Sequence, residues 1–108
     1  TPHLLPINRG IIATTYVRLA EGMEAHDLTA AYQEAYRDSP FVRLRSARLP
    51  EISDVVGTNY CDLGFRINPA NRQAIIVSTL DNLLKGAAGQ ALQNMNCMFG
   101  WPEEMALC

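Results

Sequence analysis

No apolar run in this chain approaches the roughly 20 residues that a helix needs to cross a bilayer, and no secretory leader opens it. A soluble, cytoplasmic protein is the expectation. There is no excess of basic charge either. The formal net charge is −2, which gives no electrostatic case for binding nucleic acid or an anionic membrane. Cysteine is scarce: Cys61, Cys97 and Cys108 are odd in number and widely spaced. Without a Cys-x-x-Cys pair, zinc and thioredoxin-like chemistry lose support, and reduced thiols are the simplest expectation. Histidine is scarcer still, with only His3 and His26. No His-Glu-x-x-His motif or spaced His/carboxylate cluster exists, so no metal site is expected. Repeats, low-complexity tracts and linkers are absent. The chain begins without Met, so a processed protein or a piece of a longer one is expected.

What is there reads as one domain over residues 1–108. Its 108 residues are 48% hydrophobic and 19% charged. Such a chain can bury roughly two thirds of its unfolded surface without metals or disulfides. Pro2 to Pro6 reads as extended, because the residue before a proline is pushed from helical geometry. The β-branched run Ile11 to Leu19 predicts a long strand. Leu28, Ala31, Tyr32, Ala35 and Tyr36 form a helical stripe within His26 to Arg37, with Asp27 favourably near its start. Phe41 to Arg45 alternates apolar and basic residues, as a half-exposed strand does. A loop follows Pro50, with a short strand around Val55 and Val56. From Tyr60 to Ile67 the alternation places Cys61, Leu63, Phe65 and Ile67 on one face. Asn68-Pro69-Ala70-Asn71 predicts a turn, and Gln73 to Thr79 a central strand covered on both faces. The resulting fold class is α+β: a mostly antiparallel or mixed β-sheet with two helices on one face.

The segment Asp81 to Asn96 predicts a helix that gives up propensity for closeness. Gly86 and Gly89 each cost about 1 kcal/mol relative to Ala. Leu84, Ala87, Ala88, Ala91, Leu92, Met95 and Phe99 recur at helical spacing and predict one buried apolar face. A strand, a helix or a ligand must then approach this bulk-free backbone. Gly100 and Pro102 end it. Gly86-Ala87-Ala88-Gly89 lacks the spacing of a dinucleotide fingerprint.

Among side chains with chemistry, Cys61 and Cys97 read as small buried hydrophobes, Cys108 as terminal and unconstrained, and His26 as solvated. His3, between two prolines, is a candidate functional residue. Arg9, at the mouth of a strand, could fork onto a carboxylate or phosphate, or be a surface residue. Asn82 and Lys85 occupy the first turn of the long helix, where an anion or polar ligand could sit; alternatively Asp81 simply caps that helix and Lys85 is solvated.

Three stretches resemble one family. Asp81-Asn82-Leu83-Leu84-Lys85-Gly86-Ala87-Ala88-Gly89-Gln90-Ala91, with Gln93 to Asn96 and Phe99-Gly100, is similar to the closing helix of the N-acetyl-γ-glutamyl-phosphate reductases. Thr1 to Pro6 through Arg9-Gly10-Ile11 resembles an earlier strand of that family, and Val56 to Asp62 a later loop and strand. The resemblance implies the C-terminal catalytic and dimerisation region of an NADP-dependent oxidoreductase of arginine biosynthesis, in the semialdehyde and glyceraldehyde-phosphate dehydrogenase fold. In that family a cysteine attacks an acyl phosphate, hydride releases the semialdehyde, and a histidine serves as acid and base. The Gly-Cys-Tyr-type and His-Arg-His-type motifs that carry those groups do not occur in this sequence, nor does a Rossmann domain. The chain is therefore expected to lack catalytic residues and to be inactive alone. The resemblance further implies Asn82, Lys85 and Gly86 toward the cofactor, His3 and Arg9 toward the substrate, a Rossmann domain docked at the small-residue helix, and a homo-oligomer through the sheet. The alternative is a stand-alone dimerisation or interaction module without catalysis; a small regulatory ligand-binding domain using Arg9 and the helix start is a third reading.

Overall fold

A computed structural model describes residues 1–107; Cys108, expected to be unconstrained, lies outside them. Four strands form one sheet in the order β1-β4-β3-β2. They are β1 (Ile11–Arg18), β2 (Val42–Leu44), β3 (Cys61–Asn68) and β4 (Gln73–Leu80), with helices α1 (Ala25–Ala35) and α2 (Gly89–Phe99). β4 pairs antiparallel with both β1 and β3, while β2 joins β3 in parallel. β3 and β4 form the expected hairpin, and Arg72 takes φ 55° at its turn. Residues 1–3 extend the sheet beyond β1: Thr14 N donates to Thr1 O and His3 N to Ile12 O.

The register explains the two faces. Phe65 opposes Ile76, and Cys61 opposes Leu80, so these four point to one side. α1 lies on that side, its Tyr32 ring stacked 6.0 Å from Phe65. The segment after β4 begins on the same side, against Leu80. On the opposite face stand Asp62, Gly64, Val77 and Thr79, all buried. The loop from Arg45 to Gly57 covers them, with Pro50 pressed on Gly64 so closely that an added Cβ would meet its Cδ at 2.7 Å. The buried side of β3 is thus the one bearing Asp62 and Gly64, not the apolar side, whose Cys61, Leu63, Phe65 and Ile67 are half-buried. The small residue Gly64 is what lets the loop come close. Nor is there a strand at Val55 and Val56. A single 3-10 turn, Ile52–Asp54, stands there instead, and it drops Val55 into full burial.

α1 begins where Asp27 Oδ2 accepts from Glu24 N at 2.8 Å, the favourable placement of an acidic residue in a first turn. α2 departs further from expectation. Its approach, Leu84–Ala88, is a π-helical turn in which Gly86 N donates to Asp81 O and Ala88 N to Leu83 O. The buried residues of α2 are Gly89, Gln93 and Asn96. The predicted apolar stripe is not the buried face: Ala87, Ala88, Ala91, Met95 and Phe99 are exposed. Cys97 is likewise exposed rather than a buried hydrophobe. The polar face is buried because the chain after Gly100 (φ 68°) folds back on it and offers carbonyls. Asn96 Nδ2 donates to Glu103 O and Met105 O at 3.1 and 2.9 Å, and Asn59 Nδ2 to Leu107 O at 3.1 Å. Among the described residues no helix is long and apolar enough to cross a membrane.

Candidate functional site

β1 starts and β4 ends at the same rung, Ile11 opposite Leu80. The dipeptides just beyond, Arg9-Gly10 and Asp81-Asn82, are therefore neighbours although 72 residues apart. Gly10 holds φ +106° with Ile52 where a Cβ would be, a conformation and a closeness open only to glycine. Its N–H donates to Asn82 Oδ1 at 2.8 Å. Beside it Arg9 Nη2 meets Asp81 Oδ2 at 2.8 Å, the arginine side chain 39% exposed and the carboxylate fully buried.

Asp81 is the hub. Its Oδ2 also accepts from Gly57 N at 2.7 Å, and its Oδ1 from Leu83 N and Leu84 N at 2.8 and 3.0 Å. Burial works to raise its pKa, but the N–H groups of Gly57, Leu83 and Leu84 and the Arg9 charge outweigh it and hold the carboxyl below its ordinary range. Sequence reasoning treated Asp81 only as a cap. It caps, and it also ties loop 57 and Arg9 to the start of the π turn.

The sequence-derived candidates divide. Arg9, Asn82 and Gly86 share this knot, Gly86 through its N–H on the Asp81 carbonyl at 2.8 Å. Asn82 uses its oxygen on Gly10, and among the described residues its Nδ2 has no partner. Lys85 turns away: its Nζ donates to Gln93 Oε1 at 2.6 Å and lies 5.7 Å from the centre of the Phe41 ring. His3 is exposed at the sheet edge, its Nε2 2.7 Å from Thr14 Oγ1, and among the described residues no hydrogen bond or ion pair joins it to the knot. His26, exposed as expected, lies near Glu24 and Asp27.

A second polar centre escaped the sequence reading. Asp62, fully buried, takes Arg43 Nε at 2.6 Å and Arg45 Nε at 2.7 Å. Arg43 also lies 4.0 Å over the Tyr60 ring and donates to Asp54 O. The Arg-x-Arg alternation in β2 and a lone Asp at an alternate position of the next strand were the available signal, since parallel pairing sets Arg43 opposite Asp62.

This sheet, with its one parallel edge and flanking helices, is the fold of the C-terminal part of semialdehyde dehydrogenases. Aspartate semialdehyde dehydrogenase II from Vibrio cholerae superposes with a TM-score of 0.69 at 19% identity, covering 89% of this chain and 29% of that one. A probable aspartate-semialdehyde dehydrogenase from Pseudomonas aeruginosa gives 0.68 at 20%, covering 87% and 28%. The sequence pattern of the semialdehyde dehydrogenase dimerisation domain matches residues 1–82, and the chain belongs to that family. It is similar to the protein named N-acetyl-γ-glutamyl-phosphate reductase in Streptococcus sanguinis, 55% identical over 100 residues, 93% of this chain and 29% of the relative. The protein of the same name in Staphylococcus saprophyticus is 47% identical over 108 residues, 99% and 32%. The chain thus spans about 30% of the length of the curated relatives it matches. The resemblance and the fold class expected from the sequence both hold.

Proposed function

We propose that this chain serves as the dimerisation-domain part of an NADP-dependent N-acetyl-γ-glutamyl-phosphate reductase, a cytoplasmic enzyme of arginine biosynthesis that reduces an acyl phosphate to a semialdehyde. The observation that carries this is identity of 55% over 93% of the chain to a protein of that name. In this reading the nucleophilic cysteine, the acid/base histidine and the Rossmann domain come from outside residues 1–108, and two copies associate through the sheet.

One side chain fits the nicotinamide end of NADPH, which supplies the hydride when bound. Because Gly10 N occupies Asn82 Oδ1, the Nδ2 remains as a donor suited to a carboxamide oxygen. Gly86, exposed and without a side chain, allows close approach beside it. Lys85 contributes to the same turn but holds its amine inward on Gln93. Arg9 and His3 are assigned to the anionic substrate. The Arg9 pairing with Asp81 orients the guanidinium while its exposed part remains available for a carboxylate or phosphate.

A chimera tests the assignment. Residues 1–108 replace the matching segment of the Streptococcus sanguinis reductase, and NADP-dependent oxidation of the semialdehyde in the presence of phosphate is followed at 340 nm. The chimera is expected to turn over, and the chain alone is not. A folded, dimeric chimera without turnover would sink the reading.

A further inference from the structure

β3 outruns its neighbour on one edge. β2 pairs Val42, Arg43 and Leu44 with Cys61, Asp62 and Leu63, and no further. The last bond between them runs from Arg45 N to Leu63 O at 2.7 Å. The chain then leaves the sheet for the loop that covers Gly64. Main-chain groups that face one edge of a strand recur at every second residue. Cys61 N and Leu63 O face β2, so the N–H and C=O groups of Phe65 and Ile67 face the open edge beyond its end. Phe65 O there accepts from Arg66 Nη1 at 2.9 Å. That bond joins chain neighbours at an exposed side chain, and an incoming N–H can take its place.

A groove runs along this edge. A hollow of about 370 Å³ lies between α1 and β3, floored by Leu44, Leu63, Phe65 and Ile67 and walled by Thr29 and Gln33. A second, of about 440 Å³, adjoins it beside Met23 and Pro69 and shares Ala25 and Ile67 with it. α1 leaves this space open because none of its residues is buried. It meets the sheet through Tyr32, stacked on Phe65.

The two sides of the edge differ in charge. Phe65 and Ile67 point toward α1, and by alternation Arg66 points to the opposite face, where Arg45 reaches Asp62. On that face Arg43 and Arg45 share the one carboxylate of Asp62, and Arg48 holds Glu51 and Asp54. Arg66 donates to the carbonyls of Phe65 and Ala47, and among the described residues it has no carboxylate partner. Four guanidinium groups thus stand against three carboxylates at this corner. A second copy's β3 does not suit the edge, because pairing edge to edge would set Arg66 of both copies side by side, and like charges opposed across strands destabilise.

We propose that the open edge of β3 is a docking site for an extended peptide segment of alternating apolar and acidic residues, added to the sheet as a further strand. Its main chain pairs with Phe65 and Ile67. Its apolar side chains enter the groove under α1, and its carboxylates face Arg66 on the other side of the sheet. A segment of five residues, about 17 Å long, spans the edge from Leu63 to Ile67. The site lies at the far end of β3 from the Arg9–Asp81 knot, since Cys61 rather than Ile67 pairs with Leu80, and it does not depend on the reductase reading.

The ¹⁵N-labelled chain is titrated with the acetylated and amidated pentapeptide Val-Glu-Val-Glu-Val, and amide shifts and hydrogen exchange are read. Saturable binding is expected, with exchange at the Phe65 and Ile67 amides slowed several-fold. The peptide Val-Lys-Val-Lys-Val should bind about tenfold more weakly. So should the acidic peptide methylated on its main-chain nitrogens, which loses the donors a strand needs. Arg66→Glu, at an exposed position, should reverse the preference between the acidic and basic peptides while circular dichroism shows the fold retained. Should that variant not fold, the three peptides on the wild-type chain decide. The proposal is overturned by no saturable binding, by shifts confined to surfaces away from Phe65 and Ile67, by equal binding of the methylated or the basic peptide, or by a folded Arg66→Glu chain that keeps the wild-type preference.

Discussion

Gly89→Ala sets helix propensity against packing at one atom. In an unconstrained helix the substitution gains about 1 kcal/mol. At this position the new Cβ would lie within 1.8 Å of Asn59 Oδ1, 2.8 Å of Leu84 O and 2.9 Å of Asn59 Cγ. Asn59 is 6% exposed and cannot swing into solvent without releasing Leu107 O, which its Nδ2 holds at 3.1 Å. Overpacking costs about 1–3 kcal/mol, and the broken hydrogen bond adds about 1 kcal/mol. The net loss is expected near 2 kcal/mol, read as a lower urea midpoint at unchanged slope. Gly86→Ala, three residues earlier, is the control. Its Cβ would meet Leu80 Cδ1 at 3.2 Å, the far end of a flexible side chain, so it should be neutral or stabilising by up to about 1 kcal/mol. Asn59→Ala should remove part of the penalty of Gly89→Ala in the double variant, a coupling expected of groups in contact, while the approach to the Leu84 backbone oxygen at 2.8 Å remains. A Gly89→Ala chain as stable as the wild type would show that Asn59 does not set the closeness of this helix.

Asp81→Asn should cost about 1–3 kcal/mol at pH 7, because it removes the charge that Arg9 and the backbone N–H groups of Gly57, Leu83 and Leu84 share. Since the folded carboxyl titrates below its ordinary range, that contribution is complete above about pH 4 and fades as the pH falls through the lowered value. Urea midpoints of the two chains should therefore converge in acid; a gap that widens there refutes the assignment. Asp62→Ala leaves Arg43 and Arg45 facing each other without a counter-ion and should destabilise by about 2–4 kcal/mol, measured the same way; an unchanged midpoint would show that the pair contributes nothing. With a thiol reagent, exposed Cys97 should be labelled well before Cys61, whose thiol is half-buried and pushed up in pKa by burial, and mass mapping reads the order. In the chimeric reductase, Asn82→Ala should raise the KM for NADPH without loss of fold, and unchanged kinetics would remove Asn82 from the cofactor site.

The strands β1, β3 and β4 were legible because β-branched residues and a strong Asn-Pro turn leave no rival pattern. The faces were less so. Alternation in β3 separated Cys61, Leu63, Phe65 and Ile67 from Asp62 and Gly64 but did not say which side is more buried; it is the side of Asp62 and Gly64, because the loop from Arg45 to Gly57 closes over it. In α2 the apolar period pointed to Ala87, Ala91 and Met95, while the burial falls on Gln93 and Asn96. The deciding force there is the need of the returning segment's carbonyls for donors, which no periodicity of α2 can report. The π turn is invisible for a related reason: Gly89, where it ends, packs against Asn59, 30 residues earlier in the chain. Arg9 and Asn82 were found because strand ends and helix starts are where polar groups remain unsatisfied; that they would meet required the register of β1 on β4.

Polar side chains make up about half of the buried set. Asn96, Thr79, Asp62 and Asp81 stand with Val55 as the largest that are fully enclosed, and the apolar core amounts to Leu19, Phe41, Val55, Ala74 and Val77. The radius of gyration, 15.2 Å, exceeds the roughly 13 Å of a compact domain of this length. Each polar anchor joins segments far apart in sequence: Asp81 joins residues 9, 57 and 84, Asp62 joins 43 and 45, and Asn59 reaches 107. Buried ionic and amide anchors of this kind add little net stability, but their loss is costly and their geometry is directional. They fix where elements lie without requiring that every apolar surface be consumed. Met95, Met98, Phe99 and Trp101 can then remain exposed on a defined scaffold. Directional polar contacts thus fix where the joined segments lie, while burial of Leu19, Phe41, Val55, Ala74 and Val77 supplies the apolar core.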